Sequence, residues 1–434
     1  MDSNMEMEID SNISDEEYLG MDEDPVIVVS GDELDRDEED EEMPLFDVLD
    51  ESSATILSID SPICCLDIDP IRRGRILYGG CDDKAYLSDL PQSPVDGNIP
   101  GAERIDLSPG RVLEGHSDTV SCVSYSADGK YFATGGCDGT IRIYGNEESN
   151  EGRLISTLEG PSDELEFIQW HPKGPCILGG GVDGTGWIWM AQDARVLSVL
   201  SGHGDSITCG DFSNDGKVAC TGSLDGSVII WNPKTGESLH KITRSSFVDH
   251  ADDSSYLEDL GIVSLKSHKK NPLLAVGLNN GLFSLVQSET GKVLSLNKRH
   301  TDSIDCIEFT NRMEDPLLAT GDMSGELIIW NFEYNRVNFA MKNQELEHSN
   351  GVLPGITSIS WGGDKNNTLI ATGCLDGTIR LWDYRTGENV KILRGHKSGI
   401  LSMKIVEFGF NGANVLRMVS TGDDGRCLLW DARI

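Results

Sequence analysis

The feature that most constrains this chain is a phrase it writes more than once. GSLDGSVIIWNPKTG at Gly222–Gly236 returns almost unchanged as GCLDGTIRLWDYRTG at Gly373–Gly387. Self-similarity at a fixed period settles architecture before local propensity does. With Asp225 as anchor, the same frame falls at Asp82, Asp138, Asp183, Asn280, Ser324, Asp376 and Asp424, spaced 42 to 56 residues apart. Every anchor except Asp82 is followed by glycine. Six places further on stand Ser88, Tyr144, Trp189, Trp231, Val286, Trp330, Trp382 and Trp430. Eight copies with five tryptophans in register are not a coincidence of composition.

Each copy reads as antiparallel strands. Asp-Gly is a two-residue turn signal, because glycine accepts positive φ and aspartate bonds its own backbone. The runs after it (VIIW, TIRLW) and before it (KVACTGS, TLIATGC) are rich in β-branched and aromatic residues. SITCGDF, TVSCVSY, SIDCIEF and ITSISW supply a first strand upstream, and VLSVLSG and NVKILRG a fourth. Eight four-stranded units leave little room for helices. A radial stack buries both faces of each sheet and protects most edges.

The Gly-His, Asp-Gly and Trp frame resembles the WD-repeat family over residues 54–434, which implies an all-β, eight-bladed β-propeller. Seven blades with one degenerate copy outside the ring is the alternative, NGLFSLV (Asn280–Val286) being the weakest copy. The last copy ends at Trp430-Asp431 with three residues left, too few for a fourth strand. ATILSID (Ala54–Asp60) is therefore expected to complete the final blade and close the ring.

Charge is distributed unevenly. The 434 residues carry a formal net charge of −38, and residues 1–50 hold 21 acids against one arginine. That tail lacks apolar periodicity and is expected to be disordered. So acidic a protein is a poor binder of phosphate backbones and suits a cationic partner. No signal peptide or membrane span is expected, and the chain reads as cytoplasmic, with the nucleus open. The eleven cysteines include no Cys-x-x-Cys pair, and Cys122, Cys209 and Cys306 share one inner-strand position. They read as small buried hydrophobes in a reducing compartment, not as metal ligands or disulfides.

Nothing in the pattern is an enzyme's. His116, His203, His300 and His396 each precede a first strand, and repetition around a ring is a scaffold's habit. The resemblance implies that such a histidine meets the turn aspartate through a Ser or Thr, with tryptophan completing the network. His203, Ser223, Asp225 and Trp231 look like one complete set. No phosphate-binding loop, nucleophile elbow or zinc motif occurs, so no cofactor and no metal are expected.

The loops that lead into successive blades gather acids. GHSDTV holds Asp118, PSDELEF holds Asp163, Glu164 and Glu166, GHGDSI holds Asp205, and RHTDSID holds Asp302 and Asp305. The long connection RSSFVDHADDSSYLEDLG adds Asp249, Asp252, Asp253, Glu258 and Asp259. Solvated loop aspartates are common, but acids focused on one face can capture an Arg/Lys-rich segment. GGCDDKAYLSDL, LEFIQWHPKGPCILGGGVDGTGWIW and ATGDMSGELIIW resemble the WD-repeat group of the angio-associated migratory cell protein and a fungal dedicated chaperone of a late-joining large-subunit ribosomal protein. That resemblance implies a monomeric chaperone whose acidic face holds the basic N-terminal segment of a nascent ribosomal protein during 60S assembly. Two other classes stay open. WDYR and WDAR, with Arg385 and Arg433, fit a substrate receptor of a cullin–RING ubiquitin ligase, and the animal relative suggests a signalling or cell-migration scaffold.

Overall fold

The computed structural model describes residues 50–93, 105–107, 110–248, 260–310, 312, 315–342, 353–362, 368–408 and 415–434. The acidic tail before Asp50 and the acids Asp249, Asp252, Asp253, Glu258 and Asp259 lie outside the described residues. Eight sheets, each built on four antiparallel strands, correspond one to one with the eight copies. In blade 4 the strands are Ile207–Phe212, Ala219–Ser223, Val228–Trp231 and Ser238–Ile242, hydrogen-bonded in that order. Blade 5, with its weak NGLFSLV phrase, is complete. Among the described residues the one helix is Arg244–Val248.

The ring closes as the sequence predicts. Ala54–Ser58 pairs antiparallel with Arg426–Arg433, setting Ala54 against Leu429 and Ser58 against Arg426. A short strand, Ile105–Asp106, adds a parallel fifth member outside it. Beyond the seam, Arg426 Nη1 donates to Asp50 Oδ2 (3.1 Å) and Asp431 N donates to Ser53 Oγ (2.9 Å).

Core packing shows why the copies need one another. The eight hydrophobic clusters each bridge two successive blades. Leu77, Ala85 and Leu87 of blade 1 meet Val120 and Phe132 of blade 2. The cluster that joins blade 8 to blade 1 holds Ala54, Ile56, Val419 and Leu429 with Ile63, Ile76 and Tyr78. No sheet buries its faces alone, so stability is shared round the ring.

First strands line the axis. Their opening residues (Ile63, Val120, Leu165, Ile207, Ile262, Ile356, Ile400), and Ile304 just before the blade 6 strand Cys306–Phe309, are all buried. Small polar side chains just after them hydrogen-bond to the next blade. Ser121 Oγ donates to Leu165 O (2.8 Å), Thr208 Oγ1 to Ile262 O (2.7 Å), Thr357 Oγ1 to Ile400 O (2.6 Å) and Cys306 Sγ to Ile356 O (3.5 Å). This gives the Ser and Thr side chains there a role beyond burial. All eleven cysteines are free thiols, and burial pushes Cys122 and Cys209 up to about 12.

Between first and third positions the ladder shifts register in seven blades. A bulge leaves its extra residue unpaired and re-aims the side chain. The bulged residues include Cys64 in blade 1 and Glu166 in blade 3.

Candidate functional site: an acidic mouth over a buried histidine network

The Asp-Gly turn of each blade lies against the loop that leads into the next. Gly226 has φ +77°, and a Cβ there would fall 2.6 Å from Leu260 O. Only glycine meets both demands, a positive φ and a backbone at contact distance. Blade 1 departs: Asp83 takes φ 62° where the other copies have glycine.

The turn carboxylates also bond their own blade's incoming loop. Ser117 N donates to Asp138 Oδ2 (3.0 Å), Ser162 N to Asp183 Oδ2 (2.9 Å), Gly204 N to Asp225 Oδ2 (2.8 Å) and Lys397 N to Asp424 Oδ2 (2.8 Å). Turns and incoming loops therefore share one end of the ring.

Beneath that end runs the network. In blade 4, Trp231 Nε1 donates to Thr221 Oγ1 (2.8 Å), which lies 2.7 Å from His203 Nε2. His203 Nδ1 lies 2.9 Å from Ser227 Oγ, and that hydroxyl donates to Asp225 Oδ1 (2.6 Å). The sequence reading gave the linking hydroxyl to Ser223, and this is corrected. Ser223 sits too near the turn: its Oγ donates to Asp205 O (2.9 Å) and accepts from Asp225 N (3.1 Å). His203, Asp225 and Trp231 do belong to one network, with Thr221 and Ser227 as links.

The other blades vary the theme. Blade 8 joins Trp430, Ser420, His396 and Asp424, with His396 Nδ1 2.9 Å from the carboxylate. Blade 2 joins His116 to Thr134 and Asp138. In blade 6 the carboxylate comes from Asp322, not from the anchor position, where Ser324 donates to it (2.8 Å). In blade 7, among the described residues, an arginine meets the turn carboxylate: Arg380 Nη2 donates to Asp376 Oδ2 (2.6 Å), and Trp382 Nε1 donates to Thr372 Oγ1 (3.1 Å). The linking hydroxyl stands four residues before the anchor in Thr134, Thr221, Thr320, Thr372 and Ser420. That spacing was present in the sequence and went unread.

The four rings are at most 1% exposed. Both nitrogens of His116, His203 and His396 are hydrogen-bonded within the network. His300 Nδ1 lies 3.1 Å from Asp322 Oδ2 without a hydrogen bond to it. Burial lowers the pKa of His116 and His203, which favours the neutral ring. With Nδ1–H donating toward the carboxylate side, Nε2 accepts from the hydroxyl, and the chain of bonds has one direction. His300, Asp322 and Glu326 could by spacing hold a metal ion. His300 and Asp322, however, repeat the His–Asp pairs of blades 2 and 8, and we assign them to the network.

Burial opposes the turn carboxylates, yet their donors prevail. At Asp225 the Ser227 hydroxyl and the Gly204 and Ser227 amides hold the carboxyl down at about 2. Asp138, Asp183, Asp322 and Asp424 are lowered in the same way.

Above the network, Asp118, Asp163, Glu164, Glu166, Asp205, Asp302 and Asp305 are all exposed. Four of them share a local role that the sequence reading missed. Asp118, Asp163, Asp205 and Asp302 each accept the amide of the following residue at 2.7–3.0 Å. Each retains its second oxygen.

Two clusters form. Burial, followed by the fields of Glu164, Asp118 and Glu166, pushes the Cys137 thiol up to about 11, which sets acids of blades 2 and 3 about one sulfur. Asp302, Asp305 and Asp322 interact in blade 6. Desolvation and then Glu164 raise the pKa of Glu166. Desolvation also raises Asp305, against the Ser303 hydroxyl at 2.5 Å. Protein around these two side chains strips solvation while their surfaces stay open.

Bases stand beside this face, and Lys298 lies in the fields of Asp302 and Asp322. Arg142 is engaged by Gly115 O, Lys241 by Gly202 O (2.7 Å) and Lys298 by Asn280 O. The acidic surface also reaches the seam, where Asp60, Asp423 and Asp424, with Lys397 and Arg426, line a recess of about 540 Å³. Arg385 and Arg433 are exposed at the far ends of their strands, away from the turns.

Comparison with known proteins agrees with this architecture. The WD domain, G-beta repeat, matches residues 107–145, 152–189, 194–232, 343–383 and 387–431. The human angio-associated migratory cell protein is 26% identical, over 82% of this chain and 76% of its own. The ribosome assembly protein Sqt1 of Saccharomyces cerevisiae is 23% identical, over 74% and 75%. Its crystal structure superposes with a TM-score of 0.72 at 20% identity, covering 89% of this chain and all of that one. Chaetomium thermophilum Sqt1, solved bound to the N-terminus of the ribosomal protein L10, gives 0.71 at 20% identity, covering 88% of this chain and 100% of that one.

Proposed function

We propose that this chain, an eight-bladed WD40-repeat propeller related to ribosome assembly proteins, is a non-enzymatic chaperone. Its acidic face would hold the basic N-terminal segment of a nascent large-subunit ribosomal protein. The observation that carries the reading is the contrast between Glu166 of blade 3 and Asp305 of blade 6, exposed carboxyls raised by desolvation, and the five turn carboxylates that donors lower. An arginine or lysine brought to either Glu166 or Asp305 relieves an unfavourable charge. Asp118, Glu164 and Asp302 widen the target, and their fields speed capture in a salt-dependent way. Exposed pairs contribute only ~0.2–1 kcal/mol each, so several contacts must act together. Sqt1 bound to the L10 N-terminus is the relative that makes such a client concrete. The protein is expected to act as a monomer in the cytoplasm, away from nucleic acid until its client is delivered.

Affinity purification from growing cells, with salt varied in the wash, tests this. Recovery of a large-subunit ribosomal protein, lost at high salt and in Asp118→Lys and Glu166→Lys variants, supports it. Undiminished recovery by both variants refutes it. Capture of a cullin–RING adaptor, abolished by Arg385→Ala with Arg433→Ala, would replace it.

A further inference from the structure

Eleven cysteines are free, nine of them on strands. One pair differs. Cys64 Sγ and Cys81 Sγ stand 3.3 Å apart. Cys64 is the bulged residue between Ile63 and Cys65, and Cys81 follows the paired strand, its amide donating to Pro62 O (2.9 Å). The two residues thus face each other across adjacent strands at a point where the ladder is already irregular. Cys81 is exposed and Cys64 half-buried. Forming an S–S bond of ~2.05 Å needs the sulfurs to close by about an ångström, within reach of small side-chain rotations.

We propose that Cys64 and Cys81 form a reversible disulfide, a redox modification site at the mouth end of blade 1. The co-reactant is a small-molecule disulfide such as oxidised glutathione. The exposed Cys81, as thiolate, attacks one glutathione sulfur, and the other glutathione leaves as its thiol after taking a proton. Cys64 then gives up its proton, attacks Cys81 Sγ in the mixed disulfide and expels the second glutathione. Two protein thiols become one disulfide, and one glutathione disulfide becomes two thiols. The order follows from access: Cys64 lies behind Cys81, and burial, with Cys81 beside it, pushes its thiol up to about 12. Cys64 is therefore a slow first attacker but is well placed to resolve. Cys137, also near Cys64, occupies in blade 2 the position Cys81 holds in blade 1. It is the natural competitor. The inference does not depend on the proposed client.

The test uses the full-length protein in glutathione buffers of graded redox ratio, with differential alkylation and peptide mass mapping. A Cys64–Cys81 peptide lacking two hydrogens, reversed by excess reduced glutathione, is the expected result. A Cys81→Ser variant should leave Cys64 reduced at every ratio, whereas Cys137→Ser should not change the titration. The proposal is overturned if only glutathionylated Cys81 accumulates, or if Cys137 supplies the link. Circular dichroism on each variant separates these outcomes from unfolding.

Discussion

Two sets of acids lie at the same end of this ring, and they are chemically opposite. Asp138, Asp183, Asp225, Asp322 and Asp424 are gripped by histidines, hydroxyls and amides that outweigh burial and lower their pKa. Glu166 and Asp305 are raised, because desolvation meets too few donors. A carboxylate held by donors is spent on the fold. One left under-solvated is a charge seeking a cation, and perturbation of that kind concentrates at working sites. The distinction is set by neighbours, not by residue type.

The comparison can be broken most forcefully from the structural side. Asp322 is 0% exposed, and Asp322→Ala strands His300 in the core. We expect a loss of about 3 kcal/mol, read by chemical denaturation, since breaking a buried pair leaves its partner uncompensated. Thr221→Val removes the hydroxyl between Trp231 and His203 and should cost about 2 kcal/mol, more than Ser223→Ala at about 1 kcal/mol. Equal losses would mean that the hydroxyl assignment is wrong. Glu166→Gln with Asp305→Asn, at the other pole, should leave the melting temperature unchanged or slightly raised. A clear fall would move these two acids into the structural class.

Acid titration sharpens the contrast. The lowered pKa of His116 and His203 makes stability complete above about 6.5, the ordinary histidine value, and eroding as pH falls below it. Asp225 adds a contribution present above the ordinary carboxyl range and lost as pH falls toward about 2. Raised carboxyls act in reverse: protonating Glu166 and Asp305 as pH falls favours the folded state. Melting temperature should therefore decline more steeply, as pH falls toward the ordinary carboxyl range, in Glu166→Gln/Asp305→Asn than in the wild type. Parallel curves would deny that these side chains are desolvated.

Much of this was legible in the sequence. The eight anchors gave the blades, and the missing fourth strand after Trp430 gave the closing pairing of Ala54–Ser58 with Arg426–Arg433. Turn and strand signals are local, so a repeat exposes them eight times over. The hydroxyl link was misplaced because Ser223 and Thr221 are both small and polar on one strand, and only the reach of the Trp231 indole separates them. Among the acids, charge was visible but solvation was not. Asp118, Asp163, Asp205 and Asp302 look like Glu166 and Asp305 on paper, yet each caps the next amide. The bulge that re-aims Glu166 leaves no mark in composition.

The central claim is that the mouth carboxyls capture a cationic chain. Calorimetric titration of an Arg/Lys-rich peptide into the full-length protein and its Glu166→Lys/Asp305→Lys variant, at low and high salt, tests it most directly. The account predicts saturable binding to the wild type that weakens as salt rises, and a loss of about 10- to 100-fold in the variant at unchanged fold. Equal affinity for both proteins, or binding indifferent to salt, would contradict it.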